Sequence, residues 1–384
     1  MKRCLHLSVL ALLIAVMVWP LAGCGGPAPT PTPTKTPRPA ATPTPEPPTP
    51  TPPPPIQAAT PTPEPTPALP TPLPTVAGNV WPLTGLPVAD PMLLQRPPIA
   101  VKISNSPQVR PQSGLQAADI VFEHLAEGGV TRYTAIYHSQ EVERIGSVRS
   151  ARLIDLEIPA MFQCALIYSG ASPEVTRLIT ESDFADRAFS DWFGAPLFYR
   201  VKIPGLAYEH TLFTDTKIIW DYLKNKGLFG KRDVRGMRFD ATVPAGGKPV
   251  VSVFIPYSKY YSDVTWTYDP QRVQYLHSIL GEPHKDRLID QQIGANNVVI
   301  LYVNHVETLI VEDELGSRSV QIQLWGEGRG TVLRDGKAWD VTWRRPNRPD
   351  PLTLIGPDGQ LFPLKPGNTW YNTVPLDMKV TMQP

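Results

Sequence analysis

The sequence predicts an α+β protein: an N-terminal mixed α/β sandwich-type domain followed by a mostly antiparallel β domain, both behind a disordered Pro/Thr tether. Three observations carry that expectation. Residues 27–75 are dominated by Pro, Thr and Ala. Residues 99–226 alternate short apolar runs with stretches of helical spacing. Beyond Gly246 the chain breaks into short β-branched or aromatic runs separated by turn residues. The expected organisation is a signal peptide over 1–23, a lipidated Cys24 with its linker over 24–78, an α/β domain over 79–245 and a mainly β domain over 246–384.

The leader has three parts. Lys2 and Arg3 supply a positive start, residues 5–21 are apolar, and small residues Ala22 and Gly23 precede Cys24. Leu21-Ala-Gly-Cys24 resembles the lipobox of bacterial lipoproteins, and Pro20 disfavours a permanent membrane helix. An ordinary signal peptide with an incidental cysteine is the weaker alternative. Several acyl chains on one cysteine anchor stably, so the mature chain is expected to begin at Cys24, on the outer side of a bacterial membrane. The tract that follows has too few apolar side chains to offset the entropy of ordering. In polyproline geometry, at ~3.1 Å per residue, some fifty residues would reach about 150 Å, which describes a spacer.

Losing Lys2 and Arg3 with the leader takes the formal charge from +1 to about −1, so no basic field exists to attract nucleic acid. Of three cysteines, Cys4 leaves with the leader, Cys24 takes lipid and Cys164 stands alone; stability must come from packing rather than disulfides.

In the α/β region, residues 99–104 read as a strand entered through Pro97-Pro98. Residues 119–125 and 130–138 read as a hairpin about Gly128-Gly129. Helical spacing of Leu153, Leu156 and Ala160 predicts a helix over 149–162, kinked or ended at Pro159. Residues 165–169 read as a buried strand. Ser172-Pro173-Glu174 opens a helix, and another is expected over 216–226. Past a boundary at Ala245-Gly246-Gly247, strands are predicted over 250–255, 264–268, 273–280 and 298–303. Turns follow at Asp335-Gly336 and at Pro357-Asp-Gly359.

Several runs carry a family resemblance. Arg110-Pro-Gln-Ser-Gly-Leu115, Ala118-Asp-Ile-Val-Phe-Glu123, Glu127-Gly-Gly-Val-Thr-Arg132 and Ile145-Gly-Ser-Val-Arg-Ser-Ala-Arg152 are similar to the bacterial YerB-like lipoproteins, domain of unknown function 3048. The C-terminal part of that family is matched by Asn297-Val-Val-Ile300, Trp325-Gly-Glu-Gly-Arg-Gly330 and Gly367-Asn-Thr-Trp370. The resemblance implies a membrane-anchored envelope protein with N- and C-terminal domains and transfers no activity. Members read His where Tyr168 stands, and His-Asn where Glu209-His210 stands.

Candidate ligand-binding residues follow from chemistry. Arg144, Arg149 and Arg152, with Ser147 and Ser150, precede the predicted helix, whose N-terminus favours anions; the competing reading is that they pair with Asp119, Glu123, Glu127 or Asp155. Asp119, Val121, Glu123, Leu125 and Glu127 would share one strand face, with Arg132 across the turn, a stripe suited to acid–base work or to a salt-bridged face. Lys102 and Asn105 at the end of the first strand, Arg110 just beyond it and Ser169 at the end of a later strand could border one cleft. No Gly-x-Ser-x-Gly, P-loop, His-Glu-x-x-His or Cys-x-x-Cys is present, and no metal site or cofactor is expected. Cys164 and the scattered His124, His138, His210, His277, His284 and His305 read as structural. Trp325, Trp339, Trp343 and Trp370 read as core or as a saccharide-stacking face. The function expected is a non-catalytic lipoprotein binding an anionic cell-envelope component or a protein partner. The alternative is an envelope transferase or hydrolase acting on a wall polymer or a phosphate-containing precursor.

Overall fold

Residues 78–384 are described by the computed structural model; the leader, Cys24 and the Pro/Thr tract lie outside the described residues. No helix among the described residues is long and apolar enough to cross a membrane.

The architecture is mixed, with few helices and many strands. Its centre is an eleven-stranded sheet: β1 (Ile99–Ser104), β2 (Ile120–Leu125), β3 (Thr131–Tyr137), β4 (Ala165–Tyr168), β5 (Ala188–Ser190), β6 (Lys248–Pro249), β7 (Asn297–Val303), β8 (Gly326–Arg334), β9 (Lys337–Arg345), β10 (Thr353–Ile355) and β11 (Thr369–Pro375). The spatial order is β6-β9-β8-β7-β11-β2-β3-β1-β4-β5, with β10 on β9. β2 and β3 form the hairpin expected about Gly128-Gly129, and β8 and β9 the one about Asp335-Gly336, where Asp335 and Gly336 both adopt positive φ.

The expected division at residues 245–246 is not a break in this sheet. β2 pairs in parallel with β11, matching Val121 to Trp370 and Glu123 to Asn372, so strands from both halves share one hydrogen-bonded layer. The edge of β2 not taken by β3 needs a partner, and the last long strand supplies it. The described residues all fall within one compact unit.

Strand periodicity assigns each side chain to a face. On the first face, Val101, Val121, Tyr133 and Trp370 pack with Ile219, Trp220 and Leu223 of helix Thr216–Asn225, and with Val253, Trp266 and Tyr275 of a smaller sheet. That sheet is built from Ser252–Ile255, Val264–Asp269, Gln274–Ile279, Glu282–Pro283 and Thr381–Gln383, with Gly294–Ala295. On the second face, Ala100, Ile120, Phe122, Ile136 and Tyr371 pack with Leu153, Ile158, Phe162 and Val175. Both faces of the central sheet are thus covered, which is why its strands carry few exposed positions.

The helix expected over 149–162 is shorter. Residues 149–151 run extended, Leu153–Leu156 form a 3₁₀ turn and Ile158–Phe162 a five-residue α-helix. The backbone here is drawn out of helical geometry by sheet-like bonds: Arg149 N–H donates to Lys102 O at 2.9 Å and Ala151 N–H to Gly170 O at 2.9 Å. Pro159 sits in the first turn, where it lacks no helical bond, rather than at a kink.

Candidate functional site

The central sheet sorts the sequence candidates into three places. On its second face, Lys102 is fully buried; its ammonium lies 2.7 Å from Asp155 Oδ2, 3.0 Å from Thr134 Oγ1 and 2.6 Å from His124 Nε2. His124 Nδ1–H donates to Leu125 O at 2.9 Å, leaving Nε2 to accept from Lys102. Burial and then the Lys102 charge push His124 well below the usual range, so it is neutral. Burial lowers Lys102 to about 8, against the pull of Asp155. Burial also works to raise Asp155, but the Lys102 charge and its hydrogen bond outweigh it and hold the carboxyl below its ordinary value.

Beside this cluster, Glu127 leaves the β2–β3 turn and receives Arg132 Nη2 at 2.5 Å, Arg152 Nε at 2.7 Å and Arg152 Nη2. Arg132 also donates to Ser150 O at 3.1 Å and Arg152 to Ala151 O at 2.8 Å. Both guanidiniums are more than nine-tenths buried. Burial would raise Glu127, yet the hydrogen bond from Arg152 and the two positive charges bring it down to about 2. Burial and the neighbouring Arg152 lower Arg132 to about 9.

On the first face, Glu123 is buried at the centre of a chain of polar groups. Asn105 Nδ2 donates to Thr131 Oγ1 at 2.7 Å and Thr131 donates to Glu123 Oε1 at 2.8 Å, while Trp370 Nε1–H reaches Glu123 Oε2 at 3.2 Å. Gln112 Nε2 donates to Ser104 O and Asn105 Oδ1, which turns its Oε1 toward His284 Nε2 at 2.6 Å. His284 therefore donates through Nε2 and accepts through Nδ1 from His277 Nδ1–H at 2.7 Å, a tautomer assigned from the network. His277 Nε2 is left 3.4 Å from Glu123 Oε2. Arg110 closes the outer end, donating to Asn105 Oδ1 at 2.9 Å and Tyr261 O at 2.6 Å. These residues come from β2, β3, β11, the segment after β1 and the smaller sheet with its hairpin, so the chain of groups ties the two halves together.

The third place is the surface beyond the end of β4. Arg149 O accepts Ser169 N–H at 3.0 Å and Ser169 O accepts Trp192 N–H at 2.9 Å, setting three segments side by side. Arg149 donates to Glu209 O at 3.3 Å and enters no ion pair among the described residues. Arg200 lies 3.7 Å over the Tyr208 ring and 3.2 Å from Asp191 Oδ2. Trp192 is 82% exposed, Tyr208 72% and Phe193 62%, an unusual concentration of aromatic surface.

Of the arginines expected together at a helix entrance, Arg152 is consumed, with Arg132, by Glu127, whereas Arg149 lies half-buried near them without an ion pair among the described residues. Ser147 is spent on His210 O at 2.8 Å. The stripe of Asp119, Glu123 and Glu127 does not form one face. Asp119 accepts His138 N–H at 2.6 Å and Ser139 N–H at 2.8 Å at the strand's start, and Glu127 turns off at its end. The smaller Trp set is mostly core, with Trp339, Trp343 and Trp370 buried and Trp325 part-exposed, so no saccharide-stacking face forms there. Among the described residues no group of three or more His, Cys, Asp or Glu is placed to hold a metal ion. A cleft of about 310 Å³ bordered by Thr84, Gln116, Asp119, Gln140, Asp286 and Asn368 takes in Asp119 of the carboxylate stripe but none of the basic candidates. Its Asp286 is taken by Gly114 and Gln116 N–H.

Sequence reasoning missed the His277–His284 contact and the Trp192–Tyr208 surface. The first had a signal: the two histidines stand symmetrically about Leu280-Gly281, opposite each other in the hairpin where Ser278 pairs with Pro283 and Ile279 with Glu282. The second had the adjacent Trp192-Phe193 beside Gly194, two large aromatics in a turn with no period to bury both.

Residues 83–229 match the family described as protein of unknown function (DUF3048), N-terminal domain, and residues 253–371 its C-terminal domain. The chain is 31% identical over 297 residues to a Bacillus subtilis protein named "Putative lipoprotein YerB", covering 77% of this chain and 86% of that one. It also superposes on the crystal structure of YerB protein from Bacillus subtilis with a TM-score of 0.67 and 29% identity, covering 79% of this chain and 99% of that one.

Proposed function

We propose that this chain, which belongs to the DUF3048 family of proteins of unknown function, is a non-catalytic lipoprotein that holds an anionic cell-envelope component at its Arg149 face. Cys24 carries the lipid and the Pro/Thr tract spaces the folded part from the outer side of the membrane, a reading supported by Leu21-Ala-Gly-Cys24 and by the name of the Bacillus relative.

The observation that carries the binding reading is the half-buried Arg149, free of ion pairs among the described residues, whose segment bonds through Ser169 to that of the exposed Trp192 and whose guanidinium reaches Glu209 O beside the exposed Tyr208. Its guanidinium keeps donors for a phosphate or carboxylate, and flat aromatic surface beside it suits a sugar ring or another apolar face of an envelope polymer. Arg132 and Arg152, by contrast, already meet a carboxylate indoors. Glu123 and His277 offer acid–base chemistry, but both are fully buried, which favours a structural role over the enzyme alternative.

The test uses the full chain with Cys24→Ser, applied to wall fragments of its own host. Arg149→Ala and, separately, Trp192→Ala should each lower retention at least tenfold and shift the thermal midpoint by no more than about 1 °C, as expected of surface sites. Undiminished retention in both variants would overturn the assignment of this face.

A further inference from the structure

The two-stranded hairpin His305–Val311 and Arg318–Ile322 pairs with no other sheet. Val320 and Ile322 toward its base, and Ile310 next to its tip, pack on the second-face core. The outer side of the strand is open to solvent at Leu309, 89% exposed, and the turn at Leu315, 92% exposed. Between them, Glu312 points inward. Its side chain is fully buried, its Oε2 lies 3.5 Å from Arg152 Nη1, and neither carboxylate oxygen makes a hydrogen bond.

That arrangement is a poor use of a carboxylate. A buried anion without hydrogen bonds is costly, and 3.5 Å exceeds the 2.7–2.9 Å of a charge-assisted bond. Glu312 is held at Arg152 by the hairpin more than it holds the hairpin there. Without it, Arg132 and Arg152 share Glu127 alone, leaving a buried excess of positive charge with an inward path where the tip had been.

We propose that the tip of this hairpin is a displaceable lid and that Glu312 is a built-in stand-in for an external oxyanion, a phosphate or carboxylate, which binds Arg152 and Arg132 when the tip lifts. The site lies inward of Arg149, close enough to interact with its charge. An oxyanion free to approach closely would form the short hydrogen bonds that Glu312 does not, and this difference is what drives the exchange. Binding and opening are linked, so each must promote the other by the same factor.

The experiment is backbone hydrogen exchange on the Cys24→Ser protein with inorganic pyrophosphate and, separately, citrate. At saturation, amides of residues 312–318 should exchange about tenfold faster, while those of β7, one strand into the core, stay unchanged. A response to pyrophosphate alone identifies a phosphate site, a response to citrate alone a carboxylate site, and a response to both an oxyanion site of either kind. A response to neither overturns the proposal. By calorimetry, Glu312→Gln should tighten binding of the responding anion about tenfold, and adding Arg152→Met should remove it. Unchanged or weaker binding in Glu312→Gln would also overturn it. Should Arg152→Met unfold the protein, the exchange data on the unaltered residues decide alone. Arg149→Ala should lose wall retention yet keep the tip response, so failure here and failure of the surface site are told apart.

Discussion

Glu127→Ala tests the account of the second face most directly. The carboxylate accepts from Arg132 Nη2 at 2.5 Å and from Arg152 Nε at 2.7 Å, with a further bond from Arg152 Nη2. Removing it leaves two guanidiniums, each more than nine-tenths buried, with main-chain carbonyls and a distant Glu312 for company. Charge-assisted bonds contribute roughly 1.5–3 kcal/mol each, but they replace bonds to water, so their sum overstates the effect. The better guide is the cost of breaking a buried pair from one side, about 3–5 kcal/mol. Against a total stability of about 5–15 kcal/mol, that is a large fraction. In urea, with a slope near 3 kcal/mol/M, the midpoint should fall by about 1 M or more. Arg152→Ala should fall similarly, and the double variant by clearly less than the sum, because each single change strands the other's partner. A Glu127→Ala midpoint within about 0.3 M of the parent would refute the reasoning, since it would mean the two arginines had no need of the carboxylate.

The same group sets an acid limit. Glu127 is held at about 2 against an ordinary 4.5, so its stabilisation is fully present above pH 4.5 and is lost as pH falls toward 2; Glu127→Gln should flatten the stability profile in that window. Asp119, pushed up to about 6 by burial, acts with the opposite sign: between pH 3.8 and 6 its proton favours the folded state, and Asp119→Asn should remove the decline seen there as pH rises. Cys164 is buried and burial pushes its thiol up, so iodoacetamide should leave it unmodified in the folded protein and alkylate it only in denaturant, as read by mass; modification under native conditions would contradict its place in the core. Cys24→Ser should move the protein from the membrane to the soluble fraction, and continued sedimentation with membranes would contradict lipid anchoring.

The candidate residues were legible as a set but not as a site. Lys102, Glu123 and Arg132 are hydrophilic groups in otherwise apolar strands, with Glu127 and Arg152 in the segments beside them, and that pattern marks either a ligand site or a buried network. Which one depends on what covers the sheet. Leu153–Leu156 brings Asp155 over Lys102, and the hairpin at Leu280-Gly281 brings His277 to Glu123, from positions 53 and 154 residues away in the chain. No local spacing encodes such contacts. Arg149 escaped the same fate because its segment bonds to β1 and β4 through the main chain, which turns its side chain toward the loops of Trp192 and Tyr208.

By itself the sequence determined the hairpins, the short helices at Pro173–Thr180 and Thr216–Asn225, and the all-strand character of the second half, because turn glycines and apolar period are local properties of the chain. The Leu21-Ala-Gly-Cys24 address proposed for lipid anchoring is likewise a linear motif, legible without a fold. Tertiary structure alone decided that the two halves share one sheet through β2 and β11, and which charges are spent indoors. Strand pairing at a separation of some 250 residues is selected by burial of both partners' faces and by the free edge of β2, neither of which exists until the sheet has formed.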